Sequence, residues 1–214
     1  MNAHEPPYKI CGKVYSKIQL LKLAGVQGIH PKLDRSSRIT LDIDRLSIGE
    51  EEEAALLTIT SVLIVTLQVY IFPKLGIVKN DFIVLKSPGS KLAFPWVNRQ
   101  VSYTRKYRYN GIECWAKRED EYHFKVDSGI IKCPIIGYMI WMKFGYLMKP
   151  GAQPALRELL LGEGKNADLS ILELIKDDFG FWKEKGYGWP GYFDLAPGSD
   201  SAKILKKYYL ERKN

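Results

Sequence analysis

The chain is poor in the residues that most often carry chemistry. Its 214 residues include only three cysteines and three histidines. Cys11, Cys114 and Cys133 are odd in number and far apart. They form neither a disulfide framework nor a Cys-x-x-Cys pair, which agrees with a reducing compartment. His4, His30 and His123 share no ligand spacing with them, so neither a metal nor a cofactor is expected. The sequence has no Gly-Lys-Ser/Thr phosphate loop, no dinucleotide glycine fingerprint and no Gly-x-Ser-x-Gly elbow. Gly186 and Gly188 flank Tyr187 without the preceding strand and following helix that phosphate binding needs. The first thirty residues contain no continuous apolar core of a cleaved signal, and Glu5 without any arginine disfavours a mitochondrial presequence.

The remaining polar constellations are thin. Cys114 and His123 fall on successive predicted strands, but no third group completes an activated thiol. Asp42 and Asp44 share one side of a predicted strand, Glu113 lies near Lys117, and Glu163-Gly164-Lys165 sits in a predicted loop. None of these amounts to a carboxylate cluster that could hold a metal and a water. No small-molecule substrate is inferred, and a non-catalytic role is expected.

Charge and apolar runs are more informative. Lysine and arginine exceed aspartate and glutamate by 32 to 24, giving +8 and a pI near 9.2. That balance suits nucleic acid, an anionic lipid surface or an acidic protein. Between Glu53 and Lys74 no side chain is charged: Ala54 to Pro73 reads AALLTITSVLIVTLQVYIFP. As a helix this run would be about 30 Å long, close to a bilayer's hydrocarbon thickness.

Ser47-Ile48-Gly49-Glu50 has capping-box spacing, Glu50 to Glu53 would oppose the positive helix end, and Pro73 would close the run. Tyr70 and Phe72 stand where interfacial aromatics belong. Thr60, Ser61 and Gln68 would then face neighbouring helices. The rival reading is a strand: Ile59, Leu63, Val65, Leu67, Val69 and Ile71 share odd positions, broken only by Ser61. Over residues 58–72 such a strand would be much longer than usual.

Four segments follow. Residues 1–53 hold a short helix near Val14 to Leu23, a turn at Gly25 to Gly28 and a strand at Arg38 to Asp44. Residues 54–73 are the candidate transmembrane helix. Residues 80–133 read as an antiparallel β-meander, with Phe82 to Leu85 ending at Ser87-Pro88-Gly89. In it, Val101 to Tyr109 and Ile112 to Lys117 flank Asn110-Gly111, a hairpin dipeptide. Glu121 to Val126 and Ile130 to Cys133 follow around Asp127-Ser128-Gly129. Residues 134–214 form a helical, aromatic-rich segment whose Ile135 to Met142 patch is too short to span a bilayer. There Pro154 opens a helix to Leu161, Asp168 caps one bearing Leu169, Leu172, Ile175 and Phe179, and a basic helix starts near Ala202. Gly186 to Gly198 reads as a draping loop.

The hairpin strand carries the clearest binding pattern. Alternation puts Tyr103, Arg105, Tyr107 and Tyr109 on one face, with Lys106 and Arg108 beside them. Rings can stack on bases while cations meet phosphates.

The expected class is therefore α+β, with one transmembrane helix, an antiparallel β-meander and a helical C-terminal segment. The expected role is a single-pass, membrane-anchored, non-catalytic accessory or scaffolding subunit, with other subunits of a membrane complex as partners. Lys74, Lys79, Lys86 and Lys91 after the run, against Arg45 alone before it, would put the C-terminal portion on the cytoplasmic or matrix side. The alternative is a cytoplasmic, basic, β-rich nucleic-acid-binding protein, with nucleic-acid processing as an open extension and 58–72 as a buried core strand.

Overall fold

The uncharged run folds as two strands. A computed structural model describes residues 7–29, 40–48, 52–85, 92–126 and 129–211. In it β4 (Glu52–Thr60) and β5 (Ile64–Phe72) pair antiparallel, with Ala55 opposite Ile71 and Ile59 opposite Leu67. Ser61 turns the chain: its hydroxyl accepts the N–H groups of Leu63 (3.2 Å) and Ile64 (3.1 Å). The alternation is real and buries one face, since Ile59, Leu67, Val69 and Ile71 are wholly enclosed. What the sequence hid was the turn, because Ser-Val-Leu contains no glycine, proline or asparagine. Among the described residues no helix is long and apolar enough to cross a membrane.

The expectation of a transmembrane helix at 54–73 is thereby corrected, and the lysines after it have no span to orient. Ser47 and Ile48, read as the start of a helix cap, belong to strand β3 (Thr40–Ile48); the rest of that motif lies outside the described residues.

The chain divides into two compact units, Met1–Ile112 and Glu113–Asn214, each of mixed α and β structure. In the first, β1 (Tyr8–Ile10) and β2 (Lys13–Tyr15) form a small hairpin. Its Cys11-Gly12 turn has φ of 49° and 76°, the double positive pair a two-residue hairpin demands. Helix α1 (Lys17–Leu23) starts in a capping box between Ser16 and Gln19. Next, β3, β4, β5 and β6 (Ile77–Leu85) run as a consecutive antiparallel meander. The meander thus falls at 40–85, earlier than the 80–133 expected.

Helix α2 (Ala93–Lys106) replaces the first strand of the expected Asn-Gly hairpin. Trp96, Val97, Gln100, Val101 and Thr104 are all buried, and their helical spacing governs more residues than the short Tyr/Arg alternation does. Pro95 sits in the first turn, where a missing N–H costs nothing. Asn110 does not turn a hairpin. Its side chain donates to Leu75 O (2.7 Å) and its backbone N–H to Gly76 O (2.6 Å). α2 is fixed to the sheet by a reciprocal amide pair, Asn80 with Gln100 at 2.8 and 2.7 Å. It is fixed to α1 by Trp96 Nε1 donating to Ala24 O at 2.6 Å. Gly25 makes that approach possible: a Cβ there would lie 2.8 Å from the Trp96 carbonyl oxygen, at a φ of +77°.

In the second unit β8 (Arg118–Val126) and β9 (Gly129–Ile136) form a separate two-stranded sheet. β10 (Leu147–Met148) pairs with β11 (Trp189–Asp194), which lies between β10 and β7 (Gly111–Ala116) in strand order. The draping loop expected at 186–198 is thus corrected to a segment containing a core strand. Short α3 (Gly137–Ile140) and a 3-10 turn (Trp141–Phe144) bury Tyr138, Met139, Trp141 and Met142, so these four residues of the second apolar patch pack inside. The carbonyl of Tyr138 receives both Trp182 Nε1 (3.2 Å) and Trp189 Nε1 (3.1 Å).

Helix α4 (Gln153–Gly162) carries Pro154 in its first turn, as read. Ser170, not Asp168, caps α5 (Ile171–Asp177), and Ile171 and Leu174 are its buried residues. Asp178 then caps α6 (Phe179–Lys185), and α7 (Asp200–Glu211) closes the unit.

Candidate functional site

The tyrosine–arginine segment keeps its cations at the surface but loses its single strand face. Arg105 and Lys106 are exposed in the last turn of α2, Tyr103 and Tyr107 are half-buried, and Arg108 is exposed. Tyr109 turns inward, 9% exposed, with its hydroxyl 2.9 Å from that of Tyr15. Burial first, then the bond to Tyr15, pushes the Tyr109 phenol far above its ordinary range. Burial likewise raises Tyr107, with Tyr103 adding to it. The Tyr103 ring carries the Lys22 ammonium 5.4 Å from its centroid.

The helix brings in a residue the strand reading omitted. Asn98, Arg99, Ser102, Arg105 and Lys106 are the fully exposed positions of α2, and helical spacing puts them on one stripe. Beyond them the helix ends in a Schellman motif: Tyr109 N–H bonds to Thr104 O and Arg108 N–H to Arg105 O, both at 3.0 Å. Arg108 occupies the left-handed position, φ 58°, where glycine is the usual resident.

Charge is segregated within this unit. Residues 7–29 contain Lys9, Lys13, Lys17 and Lys22, and residues 92–112 contain Arg99, Arg105, Lys106 and Arg108. Neither stretch has a carboxylate. The strands between carry more acids than bases: Asp42, Asp44, Glu52, Glu53 and Asp81, against Arg45 and Lys79. The macrodipole explains cations in the last turn of a helix. It does not explain Arg99 or Lys17, and it favours acids at the N-termini of α1 and α2, where none stands. This signal was present in the sequence as an acid-free spacing, and only the pairing of α1 with α2 makes it one layer.

Other expected groupings do not converge. Thr60 ends β4, Ser61 is the turn residue and Gln68 sits in β5 opposite Thr58, so no helix–helix contact involves them. Cys114 is buried in β7 while His123 is exposed in β8, in a different sheet. Asp42 and Asp44 are exposed on β3. Glu113 pairs with Lys149 at 2.5 Å and Lys117 with Glu119 at 2.7 Å. Glu163 lies 3.5 Å from Lys185, and Lys165 lies 2.7 Å from Asp178. Among the described residues no group of three or more His, Cys, Asp or Glu side chains could hold a metal.

The second unit has a cleft of about 630 Å³, walled chiefly by Leu147, Met148, Leu156, Ile171, Leu172 and Tyr192, with Arg157 and Asp168 also lining it. Its lining includes no histidine, cysteine or lysine. The Ser170 hydroxyl there is bonded to Glu173 at 2.7 Å. That contact is part of the capping box that starts α5. No family model matches the chain, and no curated protein or solved structure matches it either.

Proposed function

We propose that this protein binds nucleic acid without processing it, through the basic α1–α2 layer of its first unit. The observation that carries this reading is the run of cations in residues 7–29 and 92–112 with no carboxylate among them. A solvated surface with no polyanionic partner mixes signs, which limits self-repulsion. One-signed surfaces concentrate an oppositely charged polymer and speed its capture. Arg105, Lys106 and Arg108 remain the contact residues of the sequence reading, joined by Arg99 and Lys22. Of the tyrosines, Tyr103 stands beside the cations, its ring 5.4 Å from the Lys22 ammonium.

Fluorescence anisotropy with short labelled oligonucleotides tests the reading. Binding in the range typical of non-specific contact, about 10⁻⁴ to 10⁻⁶ M at physiological salt, is expected. It should weaken steeply as salt rises. Replacing both Arg105 and Lys106 by glutamine should weaken it further at low salt. Equal binding by that double variant and the parent protein, or no binding at low salt, would refute the proposal.

A further inference from the structure

The same surface says which form of nucleic acid it fits. Capturing single strands relies on aromatic platforms whose faces are open to bases. In the first unit no aromatic side chain reaches full exposure among the described residues. Tyr109 is turned into the core and bonded to Tyr15. Tyr103 offers its face to the Lys22 ammonium. Tyr107 is half-buried beside the helix end. None of these three rings stands fully open at the surface.

The cations, by contrast, stand on a fixed frame. Arg99 to Lys106 spans eight helical residues, a rise of about 10 Å over seven steps. The helix beneath them is locked by the Asn80–Gln100 pair and by the Trp96–Ala24 bond. Arg108 is held by the Schellman bonds in a conformation that disfavours any side chain. A rigid row of charges matches a partner whose phosphates are already regularly placed. A flexible strand must be ordered first, at an entropic cost and without stacking to offset it. A duplex also presents about twice the charge per length of one of its strands.

We infer that the partner is a nucleic-acid duplex, held by its phosphates, with no base stacked on the protein. This inference rests on the nucleic-acid reading above.

The test compares a labelled duplex with one of its own strands across a salt series, using the full chain. The duplex should bind more tightly, with a log–log salt slope near −0.9 per engaged cation. Arg108→Gly, which suits the left-handed backbone and so keeps the fold, should make that slope shallower by about 0.9. Tyr107→Leu should leave duplex affinity unchanged. Tighter or equal binding of the single strand overturns the inference and leaves the reading standing, and needs no variant to observe. A loss of about tenfold or more in Tyr107→Leu, the size of one stacked base, does the same if the variant keeps the parental circular dichroism. Failure of both nucleic acids, with binding only to phosphatidylserine vesicles, overturns the reading as well.

Discussion

Arg108 shows how a single residue couples stability to charge. An L-residue in the left-handed region costs about 1–2 kcal/mol, and glycine would remove that cost at the end of α2. Arg108→Gly should therefore raise the free energy of unfolding by about 1 kcal/mol, read from the midpoint of a urea titration. An unchanged or lowered midpoint would mean that the guanidinium makes stabilising contacts of similar size. Asn80 and Gln100 make the opposite case. Each is almost wholly buried and each satisfies the other's amide. Asn80→Ala alone removes the partner of the buried Gln100 amide and should cost about 1–3 kcal/mol. Replacing both by apolar residues of similar volume should cost much less than the sum of the single replacements. Strict additivity in that double-mutant cycle would show that the two amides do not depend on each other.

Among the elements, α5 and α6 hold two described carboxylates below their usual range. The Asp178 side chain caps Phe181 N–H at 3.0 Å and meets Lys165 Nζ at 2.7 Å. The Lys165 bond, then the bond from Phe181 N–H, holds its carboxyl below the usual range. The Ser170 hydroxyl, then its backbone N–H, does the same for Glu173. A carboxylate with a lowered folded pKa contributes stability that is complete above its unfolded pKa and is lost as pH falls through the folded one. Asp178→Asn together with Glu173→Gln should flatten the acid limb of thermal stability below the ordinary carboxylate range and leave the neutral-pH limb parallel to the parent. An acid limb of unchanged steepness would assign acid sensitivity to other groups.

Turns and caps also show why some elements were legible and others were not. The capping residues Ser16 and Ser170 and the proline of α4 act locally, so their helices can be placed within a few residues. Asp168 and Ser170, two residues apart, both carry good capping side chains, and only the Ser170–Glu173 reciprocity separates them. The Ser61 turn depends on one hydroxyl reaching two N–H groups, which leaves no composition signal. Asn110-Gly111 carried a strong signal and a wrong answer, because the residues before it are claimed by a helix whose buried face needs the core of its unit to be seen.

At the scale of the whole molecule the net charge of +8 says less than where the charges lie. If the acid-free layer is a phosphate-binding surface, saturating duplex must stabilise the fold by linkage. The gain is about 2.7 kcal/mol at a hundredfold excess over Kd. The melting temperature should rise with added duplex at low salt and return to the ligand-free value as salt screens the contacts. A rise that persists at high salt would point to a contact that is not electrostatic. The proposed contact surface was partly legible on these terms: Arg105, Lys106 and Arg108 are singled out by their neighbours in sequence. Arg99 and Lys22 are not, because helical spacing and the docking of α1 bring them in.

By itself the sequence determined the uncharged character of residues 54–73, their period-two pattern, the basic balance and the local helix starts. These follow from side-chain chemistry over a few neighbours. It did not determine whether that run met lipid or its own protein, since an apolar stretch is satisfied by either. Tertiary structure decided it. A serine turn halves the run into two paired strands, and their buried faces enclose Ile59, Leu67, Val69 and Ile71 within the first unit. Tertiary structure also made α2 a helix, because Trp96, Gln100 and Thr104 gain burial, and Trp96 and Gln100 gain hydrogen bonds, only when that face meets α1 and the sheet.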